Sequence, residues 1–169
     1  VGLAASRDGK WIYFTQDNGG DEYYDIYRVP TSGGAVERVT NTPTLSERGL
    51  VPGPSNGLMA LSVKKKSEAQ SNIATIDSQG NVKALTAETD PQYEWSPRLW
   101  ADGGKTLFAN REKIDSTSTE IWRIDIASGK AIPVLSKANT IYRVQDLSAD
   151  GQWLAVTTDA DIGRPRAGL

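Results

Sequence analysis

Apolar and polar positions along this chain fall into short β-type runs separated by polar turns, and the arrangement repeats. Four apolar runs each follow an Asp-Gly or Asn-Gly pair. They are Trp11-Ile12-Tyr13-Phe14, Leu58-Met59-Ala60-Leu61, Thr106-Leu107-Phe108-Ala109 and Trp153-Leu154-Ala155-Val156. The pairs, Asp8-Gly9, Asn56-Gly57, Asp102-Gly103 and Asp150-Gly151, are 46 to 48 residues apart. A second landmark runs in parallel: Asp25-Ile26-Tyr27-Arg28-Val29, Asn72-Ile73-Ala74-Thr75-Ile76 and Glu120-Ile121-Trp122-Arg123-Ile124, spaced by 47 and 48. β-Branched and aromatic residues dominate these segments, as strands in a packed sheet require. Glycine follows each at Gly33, Gly80 and Gly129, which predicts tight turns with positive φ. A short last strand then ends on a hydroxyl residue: Val36 to Thr40, Val82 to Thr86, Ile132 to Ser136. The strand before each Asp-Gly pair is predicted at Gly2–Ala5, Gly49–Pro52, Trp95–Trp100 and Tyr142–Leu147. The polar stretches Lys64–Ser71 and Arg111–Thr119 read as loops, and no helical periodicity extends over 11 residues or more.

Four strands per unit, repeated at this length, predict an all-β fold: a partial β-propeller with one unit per blade. The units run 1–46, 47–92, 93–140 and 141–169, the last with only two strands. That makes about three and a half four-stranded blades of an expected seven-bladed ring, so the chain reads as part of a larger protein. An open arc leaves apolar blade faces and strand edges uncovered. The expected partners are therefore the remaining blades or a further domain of the parent, or a second copy closing the ring. Ile26, Ile73 and Ile121 are expected to be buried equivalently, and Trp11 and Trp153, at matching positions, to lie in blade cores. Trp95, Trp100 and Trp122 fall on strands and are expected to pack there too.

Composition narrows the chemistry. Among 169 residues there is no Cys and no His. A His-dependent triad, a His-based zinc site and a disulfide are all beyond this chain alone. No metal or cofactor is implied. The net charge is −2 and no apolar run nears the length of a membrane helix, so neither nucleic acid nor a membrane is an expected partner.

One segment is more specific. Asp17-Asn18-Gly19-Gly20-Asp21-Glu22-Tyr23-Tyr24-Asp25-Ile26-Tyr27-Arg28 resembles the Asp-x-Gly-Gly-x-Glu loop and following aromatic strand of propeller domains in the prolyl oligopeptidase family of serine peptidases. Ser6-Arg7-Asp8-Gly9-Lys10 and Gly33-Gly34 through Arg38-Val39-Thr40 resemble the broader TolB-type repeat. The first resemblance implies a propeller joined to an α/β-hydrolase domain, capping its active site, admitting short peptides and breaking no bond itself. It also implies that Asp21 and Glu22 bind the amino terminus of the substrate. Without the resemblance, the two are a solvated acidic loop or part of an ion pair between blades. The second resemblance implies a protein-interaction module with no enzymatic half.

Other motifs carry less. Gly53-Pro54-Ser55-Asn56-Gly57 matches the Gly-x-Ser-x-Gly nucleophile elbow, but that pattern acts on a strand-turn-helix junction, and here it falls in a β-turn with no helix after it. Asp146, Asp150, Asp159 and Asp161, with Gly163, lack the spacing of a Ca²⁺ loop and read as surface turns; the carboxylates from Asp17 to Glu22 read the same way. Lys64-Lys65-Lys66 reads as a solvated strand end.

Overall fold

The computed structural model describes residues 2–54 and 57–160. The first sheet holds β1 (Leu3–Ala5), β2 (Trp11–Asp17), β3 (Tyr24–Pro30) and β4 (Glu37–Arg38). The second holds β5 (Leu45–Pro52), β6 (Met59–Lys65), β7 (Ser71–Ile76) and β8 (Val82–Ala84). The third holds β9 (Tyr93–Ala101), β10 (Thr106–Lys113), β11 (Thr119–Asp125) and β12 (Ala131–Leu135), and the fourth only β13 (Tyr142–Leu147) and β14 (Leu154–Thr158). Within each sheet the strands pair antiparallel in chain order. The first strands of successive sheets, β1, β5, β9 and β13, meet one another around an axis. Over the described residues the chain is a partial β-propeller of three four-stranded sheets and one two-stranded sheet.

Blades pack face to face, so a middle strand is covered on both sides. That is why its apolar residues run consecutively. In β6, Met59 and Leu61 join Tyr13 and Ile26 of the first blade, while Ala60 joins Trp95, Trp100, Leu107 and Ile124 of the third. Ile26, Ile73 and Ile121 are all fully buried. Gly33, Gly80 and Gly129 have φ of 83°, 85° and 72°, a region costly for residues with a Cβ. The terminal hydroxyls of two blades explain their own recurrence. Ile26 N–H donates to Thr40 Oγ1 at 2.9 Å, and Ile73 N–H to Thr86 Oγ1 at 2.8 Å. Each closes a backbone donor left open as the fourth strand peels away.

The Asp-Gly turns are equally regular. Ser6 Oγ donates to Asp8 Oδ1 at 2.6 Å and accepts from Trp11 N–H at 3.0 Å; Ser148 makes the same pair of bonds with Asp150 and Trp153 at 2.6 and 2.9 Å. These hydroxyl bonds, with those from Lys10 and Gln152 N–H, hold both carboxyls below the usual range.

Two expectations are corrected. Trp153 is 74% exposed, whereas Trp11 is half-buried beneath the Arg28 guanidinium, 4.1 Å from the ring centroid. The two share a register position that faces the next blade, and no blade covers Trp153 among the described residues. Several strands also run past their apolar patterns. β5 begins at Leu45, β6 ends at Lys65 and β10 ends at Lys113, so the intervening loops are shorter than the polar stretches implied. The ladder hydrogen bonds continue where apolar alternation has stopped.

Candidate functional site

The loop between β2 and β3 owes its shape to its glycines and carboxylates. Gly19 and Gly20 have φ of 75° and 85°. Asp21 Oδ1 accepts from Tyr23 N–H at 3.0 Å, an Asx-type turn, and Asp17 Oδ2 accepts from Glu22 N–H at 3.4 Å. Glu22 itself has φ of 58°, a conformation that strains a residue with a side chain. Arg48, from β5 of the next blade, holds it there: Nη2 donates to the Glu22 carbonyl at 3.2 Å, and the guanidinium lies 4.3 Å from the Tyr24 ring centroid. Ser46 adds a second tie, accepting from Tyr24 N–H at 3.2 Å.

The loop forms one wall of a cleft of about 330 Å³, with β5, the end of β6 and Glu94 of β9 completing it. Asp21 and Glu22, the residues singled out from sequence, both line this cleft. Its charges are mixed. Lys66 Nζ lies 4.0 Å from Asp21 Oδ2 and 4.0 Å from the Tyr23 ring centroid, and Lys65 pairs with Glu68 at 2.7 Å. Among the described residues, the carboxylates of Glu22 and Glu94 have no hydrogen-bond or ion-pair partner. Two unengaged carboxylates in a shared polar cleft can receive an ammonium group. Sequence reasoning missed Ser46, Arg48 and Glu94; they belong to innermost strands whose polar residues follow no apolar period.

Below the cleft, Glu47 is fully buried and accepts from the Thr40 hydroxyl and from Thr42 Oγ1, the latter at 2.7 Å. Burial pushes its carboxyl above the usual range, against the pull of those two hydrogen bonds. Arg38 pairs with Asp25 in the same group. The next interface repeats the device with other residues. Arg111 Nε donates to Glu88 Oε2 at 2.7 Å, Trp95 Nε1 to the same oxygen at 2.8 Å, and Tyr93 lies beneath the guanidinium at 3.6 Å. Burial works against ionising Glu88, but the hydrogen bonds from Arg111, Asp90 N–H and Trp95 prevail and lower its pKa. Both groups join blade to blade, and Glu88, Trp95 and Arg111 also line an open cavity of about 430 Å³.

Lys64 and Lys66 of the basic run line this cleft, whereas the elbow-like turn and the later aspartates stay apart from it. Gly53 N–H donates to the Leu58 carbonyl at 2.7 Å, closing a turn between β5 and β6 with no helix behind it. Gly57 has φ of 80°, and a Cβ there would lie 2.4 Å from Ser78 Cβ, so that site requires glycine for both reasons. Ser55, Asn56, Asp161 and Gly163 lie outside the described residues. Asp146, Asp150 and Asp159 each cap a backbone N–H nearby. No group of three or more His, Cys, Asp or Glu converges as a metal site among the described residues.

No protein-family model matches the chain, and no curated protein matches it. Solved structures do. A prolyl endopeptidase, from a study of two such enzymes, superposes with a TM-score of 0.70 at 18% identity, over 97% of this chain and 25% of that one. A protein assigned as TolB from Agrobacterium tumefaciens gives 0.61 at 17% identity, over 80% and 46%. A puromycin hydrolase gives 0.55 at 13% identity, over 82% and 23%. The chain thus spans about half of the TolB and about a quarter of the two hydrolases. At these identities the likeness establishes the fold: this chain is built as the propeller domains of such proteins are.

Proposed function

We propose that this chain is the propeller portion of a serine peptidase resembling the prolyl oligopeptidases. In this reading it caps and gates the active site of a hydrolase domain, belongs to a ring of about seven blades and carries no bond-breaking residue. The cleft between the first three blades receives the amino terminus of a short peptide on Glu22 and Asp21. The observation that carries this is the unpaired Glu22 carboxylate, held at the cleft by a strained backbone that Arg48 fastens. Strain maintained by a neighbouring blade is what a preorganised recognition group requires. The fold likeness to prolyl peptidase propellers supports the rest. A TolB-type interaction module is the second reading, supported by the likeness to the Agrobacterium protein.

The test is titration of the chain with a proline-containing tripeptide, in free-amine and N-acetylated forms, followed by amide chemical shifts. The free amine should bind at least ten-fold more tightly, and Glu22→Gln should remove most of that preference. Equal binding of the two forms, or no binding of either at millimolar concentration, overturns the assignment of Glu22 and Asp21.

A further inference from the structure

The innermost strand of the third blade contains a residue with no counterpart in its ladder. Leu99 lies opposite Phe108 and Pro97 opposite Ala109, so Arg98 is the extra residue of a β-bulge. Bulges re-aim a side chain away from the sheet's regular alternation. The fourth sheet has the same device at Gln145, between Val144 and Asp146, and the second at Gly49 and Leu50. The bulge therefore belongs to the frame, and only the third blade uses it to present a guanidinium.

That guanidinium is held from one side. Asn110 is fully buried in the middle of β10. Its Nδ2 donates to the carbonyls of Glu120 at 3.0 Å and of Tyr142 at 2.9 Å. Both amide hydrogens are thus used, which fixes Oδ1 toward Arg98 Nε at 2.6 Å. Nε is the only Arg98 nitrogen engaged among the described residues, leaving the two terminal nitrogens as an open fork. Arg143 of β13 lies near enough to act on it electrostatically, as does Glu112, which is 3.7 Å from Arg143 and opposite Glu94 in the ladder. Arg98 is exposed on its strand, and partial desolvation by its neighbours lowers its pKa, with Glu112 opposing that shift and Arg143 adding to it.

We infer that Arg98, oriented by Asn110 and reinforced by Arg143, is a carboxylate-binding site on the axial wall of the propeller. A planar fork with both terminal nitrogens free matches a carboxylate bidentately. The group can come from the C-terminus of a peptide or from a free organic acid. The inference does not depend on an amino-terminal site at Glu22.

The experiment uses three probes that cannot engage Glu22 through an ammonium: N-acetyl-dialanine, its C-terminal amide, and propionate. Binding is read from the Arg98 Nε–H resonance and by calorimetry. The free-acid peptide should bind at least ten-fold more tightly than the amide and shift that resonance. Arg98→Gln should abolish the difference, Arg98→Lys should weaken acid binding several-fold despite keeping the charge, and Lys137→Gln, at an exposed loop, should leave it unchanged. Should Arg98 variants fail to fold by circular dichroism, Arg143→Gln serves instead, with acid binding expected to fall several-fold. Propionate binding as tightly as the peptide acid identifies a free organic acid as the ligand; weaker propionate binding identifies a peptide terminus. Equal affinity of acid and amide, acid binding unaffected by Arg98→Gln or by Arg143→Gln in a folded chain, or no binding of either acid at ten-millimolar concentration overturns the inference.

Discussion

Replacing the hydroxyl at the end of a blade's last strand by an isosteric methyl should cost stability in an order set by what the hydroxyl serves. In Thr40→Val, the fully buried Ile26 loses the acceptor of its N–H, and Glu47 loses a donor. An orphaned buried amide costs about 1–3 kcal/mol, and a hydrogen bond to a charged group contributes about 1.5–3 kcal/mol. The hydrophobic gain of a methyl offsets about 1 kcal/mol of this, so the net cost should be about 1.5–5 kcal/mol. In Thr86→Val, Ile73 N–H loses its 2.8 Å acceptor and Asn72 Oδ1 loses a 3.0 Å donor, at a half-buried position. About 1–2 kcal/mol is expected there. Ser136 occupies the matching place in the third blade, but its hydroxyl is exposed and donates to Glu120 Oε1 at 2.6 Å. Ser136→Ala should stay within about 0.5 kcal/mol of wild type.

Urea unfolding measures all three, read as a change in midpoint at constant slope. Thr86→Ser, which keeps the oxygen and loses a methyl, separates hydrogen bonding from packing: it should retain most of the wild-type stability that Thr86→Val loses. If Thr40→Val and Ser136→Ala fall within about 0.5 kcal/mol of each other, the capping argument fails. It fails equally if Thr86→Ser is as costly as Thr86→Val.

Two further outcomes follow from the same geometry. Because burial raises the folded-state pKa of Glu47 above its ordinary 4.5, the stability it contributes is fully present below that value and is lost as pH rises through the raised one. Glu47→Gln should therefore flatten the fall of the urea midpoint above about pH 4.5, and an unchanged pH profile would refute the linkage. Trp153 is 74% exposed on a face that no blade covers among the described residues, so Trp153→Asp should leave the unfolding midpoint nearly unchanged while weakening self-association at micromolar concentration. Sedimentation of a wild-type chain that is monomeric throughout that range would remove the basis for it.

The blade frame is readable in the sequence because a covered sheet needs apolar side chains at fixed offsets. Ile26, Ile73 and Ile121 mark it at intervals of 47 and 48. What sequence cannot convey is whether a face has a neighbour. Trp11 and Trp153 carry the same signal, yet one lies under Arg28 and the other faces solvent. The cleft was half legible. Asp21 and Glu22 stand in a distinctive loop, but Ser46, Arg48 and Glu94 lie on innermost strands, which are edges and follow no alternation. Arg98 was hidden for a related reason. A bulge adds one residue to a strand without any residue type to announce it, and only the pairing of Pro97 with Ala109 and of Leu99 with Phe108 reveals it.

The same frame separates residues that hold the fold from those free to do something else. Asp25, Asn72 and Glu120 occupy one repeat position near the start of the third strand, 47 and 48 residues apart. Their chemistry has diverged, but each accepts hydrogen bonds from the segment that follows the last strand or from that strand's end. Asp25 receives Arg38 and Thr42, Asn72 receives Thr86 and the Glu88 N–H, and Glu120 receives Ser136. A position that keeps one structural role through changes of residue type is accounted for by blade assembly. Glu22 and Arg98 differ in kind. Each sits where the frame bends the backbone, one at a left-handed loop residue and the other at a bulge. Each is anchored through an atom other than those it leaves free: the Glu22 carbonyl by Arg48, the Arg98 Nε by Asn110. The free carboxylate and the free fork are what assembly leaves unused, and both proposed sites rest on them, not on the buried ion pairs between blades.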